Sequence, residues 1–252
     1  MRKKIAAANW KMNLTWQEGA QLLDLLVQNN QAVPANKEVI LALPFPYLTE
    51  GLQKTKGLTG VFVAAQNCHH LEAGAYTGEV SASMLASIGV RYCIIGHSER
   101  REYQAETNEQ LAQKMRLCFQ QGITPIFCCG EPLPIREAEQ QNEFVKKQLE
   151  ESLFQLDPKQ VAQVIVAYEP IWAIGTGRTA SAQQAQEMHA HLRGIIADKY
   201  GAAVATSIPI LYGGSVKASN AVELFSGEDV DGGLVGGASL VATEFQSIIN
   251  AL

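Results

Sequence analysis

Gln163-Val164-Ile165-Val166-Ala167-Tyr168-Glu169-Pro170-Ile171-Trp172-Ala173-Ile174-Gly175-Thr176-Gly177-Arg178-Thr179 joins two unlike halves. The first is an apolar, β-branched run that reads as a buried strand ending in a carboxylate, Glu169. The second starts on Pro170 and is punctuated by glycines, yet it is apolar where surface loops are ordinarily polar. A desolvated carboxylate is costly unless it has a partner or a task. The combination therefore reads as a base beneath a lid; the plainer alternative is a βα turn whose Trp172 and Ile174 pack on a neighbouring helix. A helical pattern over 182–200 follows, completing a strand, loop and helix unit.

The same unit recurs in both directions. Period, β-branching and punctuation place strands at 5–11, 38–43, 61–66, 92–97, 124–129, 164–169, 208–212 and 233–236. Helical patterns fall at 16–30, 46–56, 83–88, 108–121, 136–156, 182–200, 218–225 and 238–252. Eight β-then-α units imply a parallel sheet, and eight is the number that closes an α/β barrel. Two flavodoxin-like halves remain an alternative, but no polar or Gly/Pro-rich linker divides the chain. One catalytic domain over 1–252 is expected.

The 252 residues match the usual length of such a barrel, and 47% hydrophobic against 18% charged residues supply a sizeable core. A net charge of −5 gives no basic field for nucleic acid or an anionic membrane. The apolar run after Arg2, Lys3 and Lys4 imitates a signal peptide but is cut by Asn9 and Lys11, and nothing approaches a membrane span. Five cysteines without a repeated Cys-x-x-Cys spacing argue against a disulfide framework or a zinc motif. A reducing cytoplasm is the default.

In a barrel, chemistry gathers at the C-terminal strand ends. Strand alternation points Asn9 and Lys11 to one side, toward the mouth, where the cation would meet an anionic substrate; an acidic neighbour is the bland alternative. His97 ends a strand, and Ser98 behind it could cap a short helix whose dipole disfavours the imidazolium. A merely structural histidine is the competing reading. Gly175-Thr176-Gly177, Gly213-Gly214-Ser215 and Gly236-Gly237-Ala238 follow late strands and let backbone N–H groups approach a phosphate. His69-His70 reads as loop and His189/His191 as helix surface. Taken together, these groups suit proton transfer beside the carbonyl of a small phosphorylated substrate, without metal or organic cofactor.

Seven segments carry a family resemblance. They are Ala8-Asn9-Trp10-Lys11-Met12-Asn13, Ala65-Gln66-Asn67, Gly74-Ala75-Tyr76-Thr77-Gly78-Glu79, Ile95-Gly96-His97-Ser98-Glu99-Arg100-Arg101, the run from Ala167 through Gly177, Tyr212-Gly213-Gly214-Ser215-Val216, and Leu234-Val235-Gly236-Gly237-Ala238-Ser239-Leu240. In this order they resemble the triosephosphate isomerase family. The resemblance implies a (β/α)8 TIM barrel that interconverts dihydroxyacetone phosphate and glyceraldehyde 3-phosphate through an enediolate. It implies Glu169 as base, neutral His97 as electrophile, and Lys11 and Asn9 as stabilisers of the developing charge. Gly175, Ser215, Gly236 and Gly237 would bind phosphate, while Glu99, Pro170, Ile174, Arg178 and Tyr212 would support the site and lid. Thr77 would reach into a partner's site, making a homodimer. A phosphate-binding barrel for a larger sugar phosphate and a catalytically silent interaction barrel are the rival readings.

The chain departs from the common family pattern at Arg178, in place of Lys, and at Gln104-Ala105-Glu106, where Phe-Gly-Glu is usual. Cys129 replaces an aliphatic residue, and Ser83 stands near a frequent Pro. None of these touches the proposed chemistry.

Overall fold

A computed structural model describes residues 2–175 and 179–252. Arg178 therefore lies outside the described residues, as do Thr176 and Gly177. The strands are β1 Lys4–Asn9, β2 Lys37–Leu43, β3 Val61–Ala65, β4 Tyr92–Ile95, β5 Thr124–Cys129, β6 Ile165–Tyr168, β7 Ile210–Tyr212 and β8 Gly232–Val235. All pair in parallel with their sequence neighbours, and β8 returns to β1 with Ile5 beside Gly232 and Ala8 beside Val235, closing the barrel.

The helices are α1 Trp16–Asn29, α2 Leu48–Lys54, α3 Ala82–Ser87, α4 Ser98–Tyr103, α5 Asn108–Gln120, α6 Leu133–Glu137, α7 Gln141–Glu151, α8 Pro158–Val161, α9 Ala182–Tyr200, α10 Ala202–Ala205, α11 Ala221–Phe225 and α12 Ala242–Asn250. Capping boxes begin α1 at Thr15, α5 at Thr107 and α9 at Ser181, each pairing the cap with a Glu or Gln three residues on.

Two apolar layers follow from strand alternation. Ile5, Ala7, Ile40, Ala42, Ala64, Ile94, Ile126, Ile165, Ala167, Leu211 and Leu234 fill the barrel interior. Ala6, Ala8, Val39, Leu41, Val63, Ile95, Phe127 and Val166 face outward, against helices that contribute Leu23, Leu26, Leu111, Leu149, Leu192 and Phe245. The lower end is tied by Asp231, fully buried, which accepts from Arg2 at 2.8 Å, from Arg193 at 2.9 Å and from the Ile210 amide at 3.0 Å.

Several expected boundaries shift. The pattern over 136–156 is interrupted: α6 stops at Glu137, Glu139 takes a left-handed φ of 56°, and α7 starts afresh. The pattern over 238–252 divides into a 3-10 turn, Gly237–Leu240, and α12, with extended Val241 between them.

Candidate active site

Strand parity explains two of the site residues. Asn9 continues the inward series Ile5, Ala7, and Glu169 continues Ile165, Ala167; the Glu169 amide still donates to Cys129 O at 2.7 Å. Gly130 makes this approach feasible, since a Cβ there would collide with the Glu169 carbonyl oxygen.

Parity does not explain Lys11 or His97. β1 ends at Asn9, and Lys11 reaches the mouth because its own backbone is left-handed, with φ of 54°. Its amide donates to Asn9 Oδ1 at 3.1 Å, while Gln66 Nε2 donates to Lys11 O at 3.1 Å. The expected same-side alternation is thus replaced by a turn that costs roughly 1–2 kcal/mol. His97 belongs by parity with outward-facing Ile95, but Gly96, at φ of 76°, turns it back toward the mouth. Leu111 and Arg101 leave no room for a side chain at Gly96.

The cap of α4 is His97 rather than Ser98. His97 Nδ1 accepts from the Glu99 amide at 3.3 Å, whereas the Ser98 amide donates to Glu169 Oε2 at 2.9 Å. A ring nitrogen that accepts carries no proton, so this contact assigns the proton of a neutral ring to Nε2. His97 Nε2 lies 2.9 Å from Glu169 Oε1, close but not aligned as a regular hydrogen bond, so that oxygen is buried without an aligned donor among the described residues. Burial pulls the imidazole pKa down, but the charge and proximity of Glu169, with Glu99 adding, outweigh it and leave the pKa raised. Lys11 Nζ donates to Glu99 Oε1 at 2.6 Å across the same mouth.

These groups open into a cavity of about 410 Å³, lined by Asn9, Lys11, His97, Ile174, Gly175 and the two late glycine turns. Gly213 to Ser215, Gly236 and Gly237 line it together with Lys217 and Glu244. Asn220 shapes the first turn by accepting from the Lys217 amide at 2.8 Å and donating to Ser215 O at 3.1 Å. A Cβ on Gly214 would strike the Tyr212 hydroxyl and Pro170, whereas one on Gly236 would only touch the Lys11 stem at 3.4 Å. Gly214 therefore serves close packing. A larger groove of about 680 Å³ between α7 and α9 is lined by scattered surface charges and faces away from the strand ends.

The described part of the lid is a 3-10 turn, Ile171–Ala173, followed by Ile174. Its root is a buried carboxylate that sequence reading did not single out. Glu131 Oε1 accepts from Trp172 Nε1 at 2.8 Å and Tyr168 OH at 3.0 Å, and Arg136 stacks over the Trp172 ring at 5.7 Å. Burial raises the Glu131 pKa, with these donors pulling against it. On the far side, Tyr212 faces the Ala180 backbone without full hydrogen-bond geometry, and burial pushes its pKa to about 12. Thr77 lies away from all this, on the exposed segment 71–79.

A closed parallel barrel with a carboxylate, an imidazole and an ammonium at its C-terminal mouth, above a cavity rimmed by glycine turns, defines the class: a (β/α)8 enzyme equipped for acid/base chemistry. The family model of triosephosphate isomerase matches residues 4–252. Similar proteins named triosephosphate isomerase occur in Porphyromonas gingivalis, 55% identical with both chains fully covered, and in Cytophaga hutchinsonii, 52% identical over 98% of each chain. Another, from Bacteroides fragilis, is 51% identical over all of this chain and 99% of that protein. The chain belongs to the triosephosphate isomerase family, and the enzyme is an isomerase.

Proposed function

We propose that the chain, as one catalytic domain, interconverts dihydroxyacetone phosphate and glyceraldehyde 3-phosphate by moving a proton between adjacent carbons. The observation that carries the roles is the buried Glu169 oxygen without an aligned donor, held against His97 Nε2 beside Lys11. Glu169 is the base. It leaves the Ser98 amide and His97 to take a proton from one carbon and returns it to the next. His97 donates from Nε2 to the substrate oxygens in turn, a division of labour for which triosephosphate isomerase is itself the standard example. When Glu169 moves to substrate, the strongest influence raising the His97 pKa goes with it. Burial, Lys11 and the Glu99 amide then favour the neutral ring.

Lys11 and Asn9 stabilise the enediolate charge, where each preorganised donor contributes on the order of 3 kcal/mol. Backbone N–H groups of Gly175, Ser215, Gly236 and Gly237 take the phosphate; Glu99 orients Lys11 beside His97, and Pro170, Ile174, Arg178 and Tyr212 serve the lid. Closure of the lid excludes water from the intermediate.

We also read the working form as a homodimer in the cytoplasm, serving glycolysis and gluconeogenesis. Met12, 96% exposed, and Tyr103, 71% exposed, line a cavity of about 380 Å³ that also takes in Lys11, Gln66, Asn67 and Glu99, a mixed apolar and hydrogen-bonding surface that suits a partner's Thr77 loop. No helix among the described residues is long and apolar enough to cross a membrane. A coupled assay with glyceraldehyde 3-phosphate on metal-free, cofactor-free protein tests the reaction; absence of turnover overturns it.

A further inference from the structure

Three of the five cysteines meet far apart in sequence. Cys68 follows β3, Cys93 lies in β4 and Cys118 in α5, and all three are fully buried. Their sulfur atoms lie within 4.8 Å of one another, with Cys68 and Cys118 at 3.7 Å. A cation bound to three sulfurs at about 2.3 Å holds them about 3.8–4.0 Å apart, so small side-chain shifts complete the geometry. The separations of 25 residues form no sequence motif, which is why the cysteine spacing argued against a metal.

We infer that Cys68, Cys93 and Cys118 form a three-thiolate site for a soft divalent cation of the zinc and cadmium class. Softness follows from an all-sulfur donor set. The valence follows from the surrounding charge. On α5, one turn before Cys118, Lys114 Nζ pairs with Glu106 at 2.6 Å, and Arg100 pairs with the same carboxylate at 2.5 Å. Two cations and one anion leave a net +1, which balances the −1 of a divalent ion with three thiolates; a monovalent ion would leave an uncompensated charge in the core. Filling the site exchanges three S–H protons for one cation: M²⁺ and three thiols give the trithiolate complex and three H⁺. Affinity therefore rises with pH. The site is separate from the acid/base mouth and does not depend on the reading of the reaction.

The test adds Cd²⁺ to fully reduced protein, both native and refolded in its presence so that a buried site can fill. The expected result is one Cd²⁺ per chain, a thiolate-to-cadmium ultraviolet charge-transfer band and a cadmium NMR shift in the three-sulfur range. About three protons are released per ion where the thiols start protonated. Cys93→Ala and Cys118→Ala should each abolish the band while retaining the barrel's circular dichroism. A band that survives either substitution overturns the site, as does no band after refolding with Cd²⁺. If a variant fails to fold, the wild-type NMR shift decides, and a shift outside the three-sulfur range overturns the proposal. So does a free-thiol count of three in denatured, air-exposed protein with the Cys68–Cys118 disulfide, because that pair would then be an oxidation site.

Discussion

Glu169 is held by contacts that serve a charge rather than a fold: one amide from Ser98 and the edge of His97. Glu169→Gln keeps the shape and the Ser98 contact but cannot accept the proton, so kcat should fall by ~10³-fold, about 4 kcal/mol. Steady-state kinetics with unchanged thermal unfolding is the expected result, and near-normal turnover would remove Glu169 from the role of base. Ala105 makes a different point. It occupies the position where the family commonly has Gly and has φ of 52° on an exposed turn. A left-handed alanine costs about 1–2 kcal/mol, part of which glycine returns through greater freedom in the unfolded chain. Ala105→Gly should therefore stabilise by roughly 0.5–1 kcal/mol, read as a higher urea midpoint with unchanged activity. At this scale, what the sequence could reveal was set by parity. Asn9 and Glu169 are legible because each ends or extends an inward-facing apolar run. Alternation also puts Lys11 at the mouth and a strand end puts His97 there; both do lie there, but left-handed residues at 11 and 96, which leave no mark in the sequence, bring them in after the strands have stopped.

Element by element, the eight strands were legible because each is an apolar run with turn chemistry at its ends. The helices were legible where a capping box marks the start, as at Thr107 and Ser181. The interruption at Glu139 was hidden, since a left-handed Glu leaves no compositional mark. Glu131 was missed for a related reason: its importance comes from three partners brought together by folding, Tyr168, Trp172 and Arg136. His189, expected on the surface of α9, is instead fully buried against Tyr168 and Tyr212, a correction that follows from the helical repeat: it shares the inward face with Ala185, Met188, Leu192 and Ile196. Burial lowers its pKa from 6.5 to about 4, opposed by the Asp229 carbonyl and by Asp231 and Asp229, and assisted by Arg193. Between these values the unfolded chain binds the proton and the native protein does not. Stability is therefore intact above pH 6.5 and declines as pH falls toward 4. The contribution of this one group is ~3 kcal/mol. His189→Asn, whose amide nitrogen takes the place of Nδ1 and can still donate to Asp229 O, should flatten that part of the profile. Urea midpoints between pH 4 and 7 at fixed protein concentration check it; an unchanged slope would assign the acid sensitivity elsewhere.

For the whole molecule, the barrel's mouth is open on the side of Lys11. Met12, Phe45 and Tyr103 stand at a cavity there whose other walls include Gln66, Asn67, Glu99 and Arg100, while the segment around Tyr76 and Thr77 is exposed, with Tyr76 packed only on His69 at 4.6 Å. A monomer would leave both surfaces in water and leave Lys11, already in a costly left-handed conformation, supported mainly by Gln66 and Glu99. A second copy supplying its 71–79 segment would cover the cavity and stiffen Lys11 and Asn9, the residues proposed to meet the enediolate, so assembly and activity should be linked. Thr77→Arg would bring a longer, positively charged side chain against Lys11 and Arg100, which line the cavity of the proposed partner. The variant should sediment as a monomer, retain the barrel's circular dichroism and lose at least ~10-fold in kcat, because a slightly misplaced donor sacrifices its preorganisation. Wild-type specific activity should fall on dilution through the dimer dissociation constant and recover on concentration. A monomeric Thr77→Arg protein with undiminished kcat would show that one barrel holds Lys11 and His97 in place unaided, and that the exposed apolar surface serves association alone.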